Sequence, residues 1–587
     1  MLEKAFAVLK KNSKATILIL IGSVTWSLTM VKSGLIYKYG MGFWGPNGHD
    51  GIWHIALIKS LIRCIALPLE CLRNGVEMPV FAGETLKNYH IGYDLLLAFI
   101  SRITGISPTA LYFQIFPPVL ALLIGVLTYK LVLDWRSSKS QALWATFFVY
   151  FGGSFGWLVS LLRSGELGGE SMFWAQQEIS TLINPPFAFS LVLLLLGLIF
   201  LKKYLISHNK YLLLSVVVFF GILIQIKAYA GILALGGLGV SGIYFLLKHR
   251  EKDILWAFGG SLILSIILFL PFNRGASGLI VFKPWWFLET MMAFGDRVGW
   301  DRYYSAMTTY REGNIWIKAA PAYLVAFLIF WFGNLGTRVV KEILVLRWLR
   351  NIKNMDWLEI FFASIIVAGV LLPMLFLQRG TPWNTIQFLY YGLFFSGILA
   401  GVALGEFREK SKLDTSMIRI IEVVVVLFTL PTSLATLTQY LPARPPAKVP
   451  NEELEALNFL ARAPQGVVLT YPFNRDKAKA AEASPPRPLY LYESTAYVSA
   501  FSGKSVYLED EVNLDITGYP WGERKNKVET FLENSNPFEV RDFLRANNIT
   551  YIYWLKDQKA ALEEGQIGIA KVFENDLVSI YRVKSDE

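Results

Sequence analysis

Charge is scarce in this chain: 17% of its 587 residues are charged, 54% are hydrophobic, and mean hydropathy is +0.42. Those values exclude an ordinary soluble protein and point to a polytopic membrane protein. Cysteine is nearly missing. On one straight helix the pair present, Cys64 and Cys71, would sit about 10 Å apart, too far to bridge unless Pro68 bends the chain between them. No Walker-type or dinucleotide-binding loop occurs. No internal repeat or low-complexity tract occurs either, which counts against a carrier built from paired repeats with broken helices. The net charge of +11 is not a nucleic-acid footprint, because the basic residues fall mainly in short segments between apolar runs.

What the chain does have is apolar length. Segments near 15–36, 109–131, 141–162, 187–204, 211–226, 229–247, 254–272, 320–337, 357–377, 385–405 and 418–438 are each long enough, or nearly so, to cross about 30 Å of hydrocarbon as helix. They predict about eleven spans. Lys4, Lys10, Lys11 and Lys14 precede the first run, which lacks a small-residue cleavage site and reads as an uncleaved signal anchor. With the N-terminus cytoplasmic, the inside loops carry Arg136 and Lys139, Lys202 and Lys203, Lys248 and Arg250, Arg338 through Lys353, and Arg408 through Lys412. Every inside loop is then basic, as membrane topology demands. The stretch 93–104 is apolar but too short to cross and reads as an interfacial or re-entrant helix.

An odd number of spans puts the C-terminus outside. The chain therefore divides into a membrane module over 1–440, a proline-rich linker over 441–450, and a soluble extracytoplasmic α/β domain over 451–587. Asn451 can cap a helix with Leu454, Leu457 and Leu460 on one face, and short β-type runs follow near 467–471, 505–508, 550–554 and 577–583. In that domain the run Glu509, Asp510, Glu511 with Asp515 reads as a solvated acidic face.

Three long outer loops, and one short one, hold most of the chemistry-bearing residues. The first contains Trp44, His49, Asp50, Trp53 and His54, with His90 further on. Asp50 and His54 share a face of a helix beginning near Asp50, whose mixed apolar and basic pattern suits the membrane interface. A carboxylate there can act as general base on a hydroxyl or amine. Three of the five histidines lie in this loop, and His49, Asp50 and His54 could ligate a divalent metal. The second loop offers Glu170 and Glu178 as a second acid facing Asp50. The third offers Trp285 and Trp286, which can stack on a sugar or anchor at the interface. Lys227 stands between two apolar helices and Arg379 at the start of the tenth span, where both could hold a phosphate.

The order of these parts resembles the GT-C superfamily of membrane glycosyltransferases, in particular the protein mannosyltransferase and aminoarabinose transferase group. The resemblance rests on the single first span, the large outer loop with the early acid Asp50, and the stretch 89–105, which is similar to that group's apolar interfacial helix and glycine before the second span. The acidic pair usual in the first loop is absent, since Gly51 follows Asp50, so the partner acid is left open between Glu170 and Glu178. The resemblance implies a GT-C-like helical bundle in the cell membrane. It implies transfer of a sugar from a polyprenyl-phosphate-linked donor to a glycan, protein or lipid acceptor of the cell envelope. Asp50 would be the base, Lys227 and Arg379 would take the departing phosphate, and His54, His90, Trp285 and Trp286 would contact substrate. The alternative from a different class is a polytopic transporter or lipid-carrier flippase.

Overall fold

The computed structural model describes residues 12–273, 275, 278–556, 558 and 564–584. Lys4, Lys10, Lys11 and Arg274 lie outside the described residues. The protein is a multi-pass helical bundle bearing a sheet-containing C-terminal region. Eight helices are long and apolar enough to cross a membrane, or nine if the bent pair Lys139–Phe151 and Gly156–Ser164 counts as one span. The remaining two apolar segments form the shorter helices Lys210–Ile226 and Asp253–Phe269. All eleven apolar segments of the sequence are thus helical, but length and composition alone mark eight or nine of them as spans.

Local chemistry sets the helix boundaries. Asn12 accepts a bond from the Ala15 amide to open Ser13–Val31, and Asn184 caps Pro185–Ser207, whose first two positions are prolines that have no amide to waste. Pro117 and Pro118 cannot donate backward, and the turn before them relaxes into a π-helical segment, Leu111–Ile115.

The axis of the bundle is the helix Gln387–Lys410, whose first turns and middle are almost wholly buried. Gly397, Gly401 and Gly405 fall four residues apart and let it approach Lys139–Phe151 at backbone contact. A Cβ on Gly401 would lie 2.0 Å from the Ala145 nitrogen, and one on Gly405 2.5 Å from the Gln141 Cα. Apolar packing inside lipid gains little from excluding water, so close backbone approach at small residues is what holds such helices together.

The C-terminal region is tied into the bundle by backbone pairing. The strands Leu35–Tyr37 and Gly40–Phe43 of the first long loop continue into Ala447–Val449, from the proline-rich stretch, and then Arg487–Pro488. A second sheet has the order Val467–Thr470, Ile549–Leu555, Val578–Val583, Ile569–Glu574, with the first pair parallel and the others antiparallel.

Three sequence expectations are corrected here. The first half of the helix Asp50–Ala66 is not the open face an interfacial helix presents: residues 51–58 are all buried, because the helix Tyr497–Ser502 packs against it. Its Lys59 and Arg63 donate to the carbonyls of Phe501 and Gly503 instead of to lipid. Cys64 and Cys71 are joined by a disulfide. The chain leaves helical geometry at Leu67 and restarts at Pro68, which brings the two Cα atoms to 5.2 Å. The acidic run 509–511 is buried, not solvated. Glu509 accepts the amides of Val498 and Ser499, and Glu511 pairs with Lys525 at 2.9 Å.

Replacing Gly401 by leucine should cost at least about 2 kcal/mol, because backbone atoms cannot move aside as a side chain can. Gly236, whose Cβ would meet nothing within 4 Å, should accept alanine freely. Thermal melts in detergent compare the two, and equal melting temperatures would contradict the packing described.

Candidate active site

The loop before Asp50 is clamped from both sides. Asn47 donates to the Thr29 carbonyl on the first helix and to the Ser33 hydroxyl just beyond its end, at 3.1 and 2.9 Å. On the other side Gly48 lies so close to the C-terminal region that a Cβ would sit 3.1–3.3 Å from Ala447, Tyr492 and Leu489. Trp44 donates its indole N–H to the Pro442 carbonyl at 3.0 Å. The Gly45–Gly48 turn ends at His49, and Asp50 begins the next helix. Asp50 is therefore placed by a wedged turn, with its side chain, 44% exposed, opening into a cavity.

That cavity holds about 520 Å³ and has two chemically different walls. Asp50, His54, His90, Lys227, Asn184 and Gln378 form one. Ile224, Ile232, Phe269, Ile280, Leu372 and Phe388 form the other. Ile232 is 47% exposed and Ile280 50%, so this apolar wall also faces outward from the bundle. The short ladder Ile280–Phe282 with Phe376–Gln378 closes one side, and Asn513 and Ile516 of the C-terminal region add to the lining.

Lys227 occupies the break between Leu223–Ile226 and Ala228–His249, where extended backbone (φ −157°, ψ 111°) interrupts the helical path. It is only 5% exposed, donates to Asn184 Oδ1 at 3.3 Å, and forms no ion pair within 4 Å among the described residues. Burial pulls its ammonium down to about 8, against the opposing pull of the Asp50 and Asp94 charges. A buried ammonium without a close counter-ion is costly, and such groups mark ligand sites.

Asp50 shares Oδ1 with His49 Nδ1 at 3.0 Å. Burial would raise this carboxyl, but the His49 bond and the charges of His49, His54 and Lys227 outweigh it and hold it below its usual range. His49 is held well above its usual range. Burial works against its charge, and the Asp510 and Asp50 carboxylates overcome that. His54 bonds Asp94 at 2.8 Å, with both side chains buried. Burial raises Asp94, with His54 and Lys227 opposing. His90 is kept neutral by burial and by the nearby Lys227.

The sequence candidates thus divide. Asp50, His54, His90 and Lys227 share the cavity. Arg379 is exposed, one residue beyond Gln378 in the wall. Glu170 and Glu178 are outside the cavity lining and sit in a buried knot. Glu170 accepts the Ile179 amide and the Ser180 hydroxyl at 2.7 and 2.6 Å, and burial together with Glu170 holds Glu178 well above its usual range, as a neutral acid. Trp286 packs on Trp174 at 5.3 Å and Trp285 near Tyr323 at 6.2 Å, also away from the lining. Trp286 packs against a second apolar cluster, which suits packing better than sugar stacking, while Trp285 is 40% exposed.

His49, Asp50 and His54 do not form a metal-ligand set. Both His49 nitrogens face carboxylates, His54 Nδ1 is committed to Asp94, and no group of three suitable side chains converges among the described residues. Reasoning from sequence passed over Asp94, although an acid inside an apolar helical stretch was a usable signal.

No protein-family model matches the chain, and no curated protein matches it. Among solved structures it is similar to the Archaeoglobus fulgidus oligosaccharyltransferase in its apo form, at 12% identity and TM-score 0.49 over 92% of this chain and 69% of that one. It is similar to the arabinofuranosyltransferase AftD from Mycobacteria at 12% identity and TM-score 0.44, over 97% of this chain and 40% of that one. ArnT from Cupriavidus metallidurans, bound to undecaprenyl phosphate, follows at 11% and 0.44 over 96% and 97%. These are membrane glycosyltransferases of the GT-C superfamily. The identities and scores are low, and the function is read from the cavity.

Asp94→Asn preserves shape but weakens the bond to His54 between two buried side chains. It should cost roughly 1–3 kcal/mol in a detergent melt, and an unchanged melt would contradict the pairing.

Proposed function

We propose that this protein is a glycosyltransferase of the cell membrane that moves a sugar from a polyprenyl-phosphate-linked donor to an acceptor on the outer face. The N-terminus would be cytoplasmic and the 451–587 domain extracytoplasmic. One observation carries the reading: a single cavity joins a buried lysine, without an ion pair among the described residues, and an aspartate held below its usual range to an apolar wall exposed on the outside of the bundle. A sugar linked through phosphate to a long isoprenoid has the same division of charge and grease.

In this reading the isoprenoid enters sideways past Ile232 and Ile280, and the phosphate lies against Lys227 with Arg379 at the rim. His54, His90 and Asn184 face the sugar. The acceptor's hydroxyl or amine attacks the anomeric carbon and gives its proton to Asp50. The bond from that carbon to the phosphate oxygen breaks, and the electron pair leaves with polyprenyl phosphate. A carboxylate held below its usual range is a weak base, so its proton transfer works best late, together with leaving-group departure. Lys227 stabilises the charge that grows on the phosphate, and a preorganised donor of this kind is worth about 10²–10³ in rate.

The test is transfer of radiolabelled sugar from synthetic polyprenyl-phosphate donors to a mixed acceptor extract by purified protein. Wild type should transfer and Asp50→Asn should lose about 10²-fold or more while staying folded. Uptake by sealed vesicles without covalent transfer would favour the carrier reading instead.

Binding of undecaprenyl phosphate should also depend on pH. Lys227 is charged below about 8, so affinity should fall as pH rises through and beyond that value, and a bound phosphate moves the change upward. Lys227→Met should bind more weakly with a flat profile over this range. The same slope in both proteins would remove Lys227 from the phosphate site.

A further inference from the structure

His49 touches two carboxylates from different parts of the fold. Its Nδ1 lies 3.0 Å from Asp50 Oδ1, and its Nε2 lies 3.4 Å from Oδ1 of Asp510 in the C-terminal region. An imidazole presents its nitrogens on opposite sides of the ring, so His49 stands between the two aspartates, hydrogen-bonded to Asp50 and within ion-pair range of Asp510. Asp510 itself is tightly placed. It is 1% exposed, takes the left-handed backbone (φ 52°), and accepts the Asn513 amide and side-chain N–H at 3.1 and 2.8 Å. The other end is fixed by Asn47 and by the close approach at Gly48. Among the described residues Asp50 Oδ1 is engaged by His49, and Oδ2 makes no hydrogen bond.

We propose that Asp510 is a positioning residue for Asp50, acting through His49. Resting on the reading of Asp50 as the base, it holds Oδ1 in place and leaves Oδ2 turned to the cavity as the oxygen that takes the acceptor's proton. The C-terminal region then belongs to the catalytic apparatus, because one of its carboxylates sets the orientation of the base.

Asp510→Asn removes the charge and keeps an oxygen that can still cap the helix. In the full-length protein kcat should fall roughly 10- to 100-fold, as a misaimed group does, with donor KM within about twofold and the protein still folded at the assay temperature. His49→Gln should behave alike, and it carries the test if Asp510→Asn does not fold. The double variant should be no slower than the slower single, because groups acting in series are not additive. Wild-type kcat in Asp510→Asn, or multiplying losses in the double variant, would overturn the proposal.

A second measurement needs no transfer activity: the rate at which a water-soluble carbodiimide labels Asp50, read by peptide mass spectrometry. Faster labelling in both single variants supports the link even if the donor is not a polyprenyl phosphate. Unchanged labelling overturns it even if transfer by wild type is robust.

Discussion

A lysine buried between two apolar helices constrains everything around it. Lys227 is 5% exposed, and its carboxylate neighbours Asp50 and Asp94 act on it without pairing within 4 Å among the described residues. Moving Asp50 close enough to pair would neutralise the cation and close the cavity. The protein instead holds Asp50 back on His49, which leaves a positive and a negative group facing one space. The proposed substrate matches that arrangement, with its phosphate against the lysine and the acceptor's proton going to the aspartate.

Keeping two charges apart in a low-dielectric site requires rigidity, and the fold supplies it in layers. The glycine stripe Gly397, Gly401, Gly405 locks the central helix to its neighbour at backbone distance. The loop bearing Asp50 is pinned to the first helix by Asn47 and pressed by the C-terminal region at Gly48. The four-stranded sheet built from residues 35–43, 447–449 and 487–488 joins these parts through backbone bonds. The C-terminal region contributes Asn513 to the cavity wall and Asp510 to the chain of contacts behind Asp50.

Much of this was legible in the sequence, for definite physical reasons. Hydropathy located every apolar helix, because burying backbone polar groups in lipid leaves little choice but helix. The oddity of Lys227 showed its place, since a lysine in such a stretch is too costly to be incidental. Spacing also placed Asp50 and His54 on one face. Properties set by long-range contact were not legible. The runs 51–58 and 509–511 looked interfacial and solvated until the C-terminal region was seen to cover one and enclose the other. Glu170 and Glu178 lie in a polar outer loop by pattern, yet the loop folds inward over them. Cys64 and Cys71 bridge only because Leu67 breaks the helix, an event that spacing along an ideal helix cannot show. Asp94 was visible but unassigned, because its meaning depends on His54, forty residues earlier.

The most direct measurement is a structure of the full-length protein in a lipid nanodisc with undecaprenyl phosphate. The account predicts phosphate density within hydrogen-bonding reach of Lys227 Nζ, an isoprenoid running along Ile232, Ile280 and Phe388, and Asp50 still held on His49. Phosphate bound away from Lys227, or an isoprenoid that leaves this cavity empty, would contradict it.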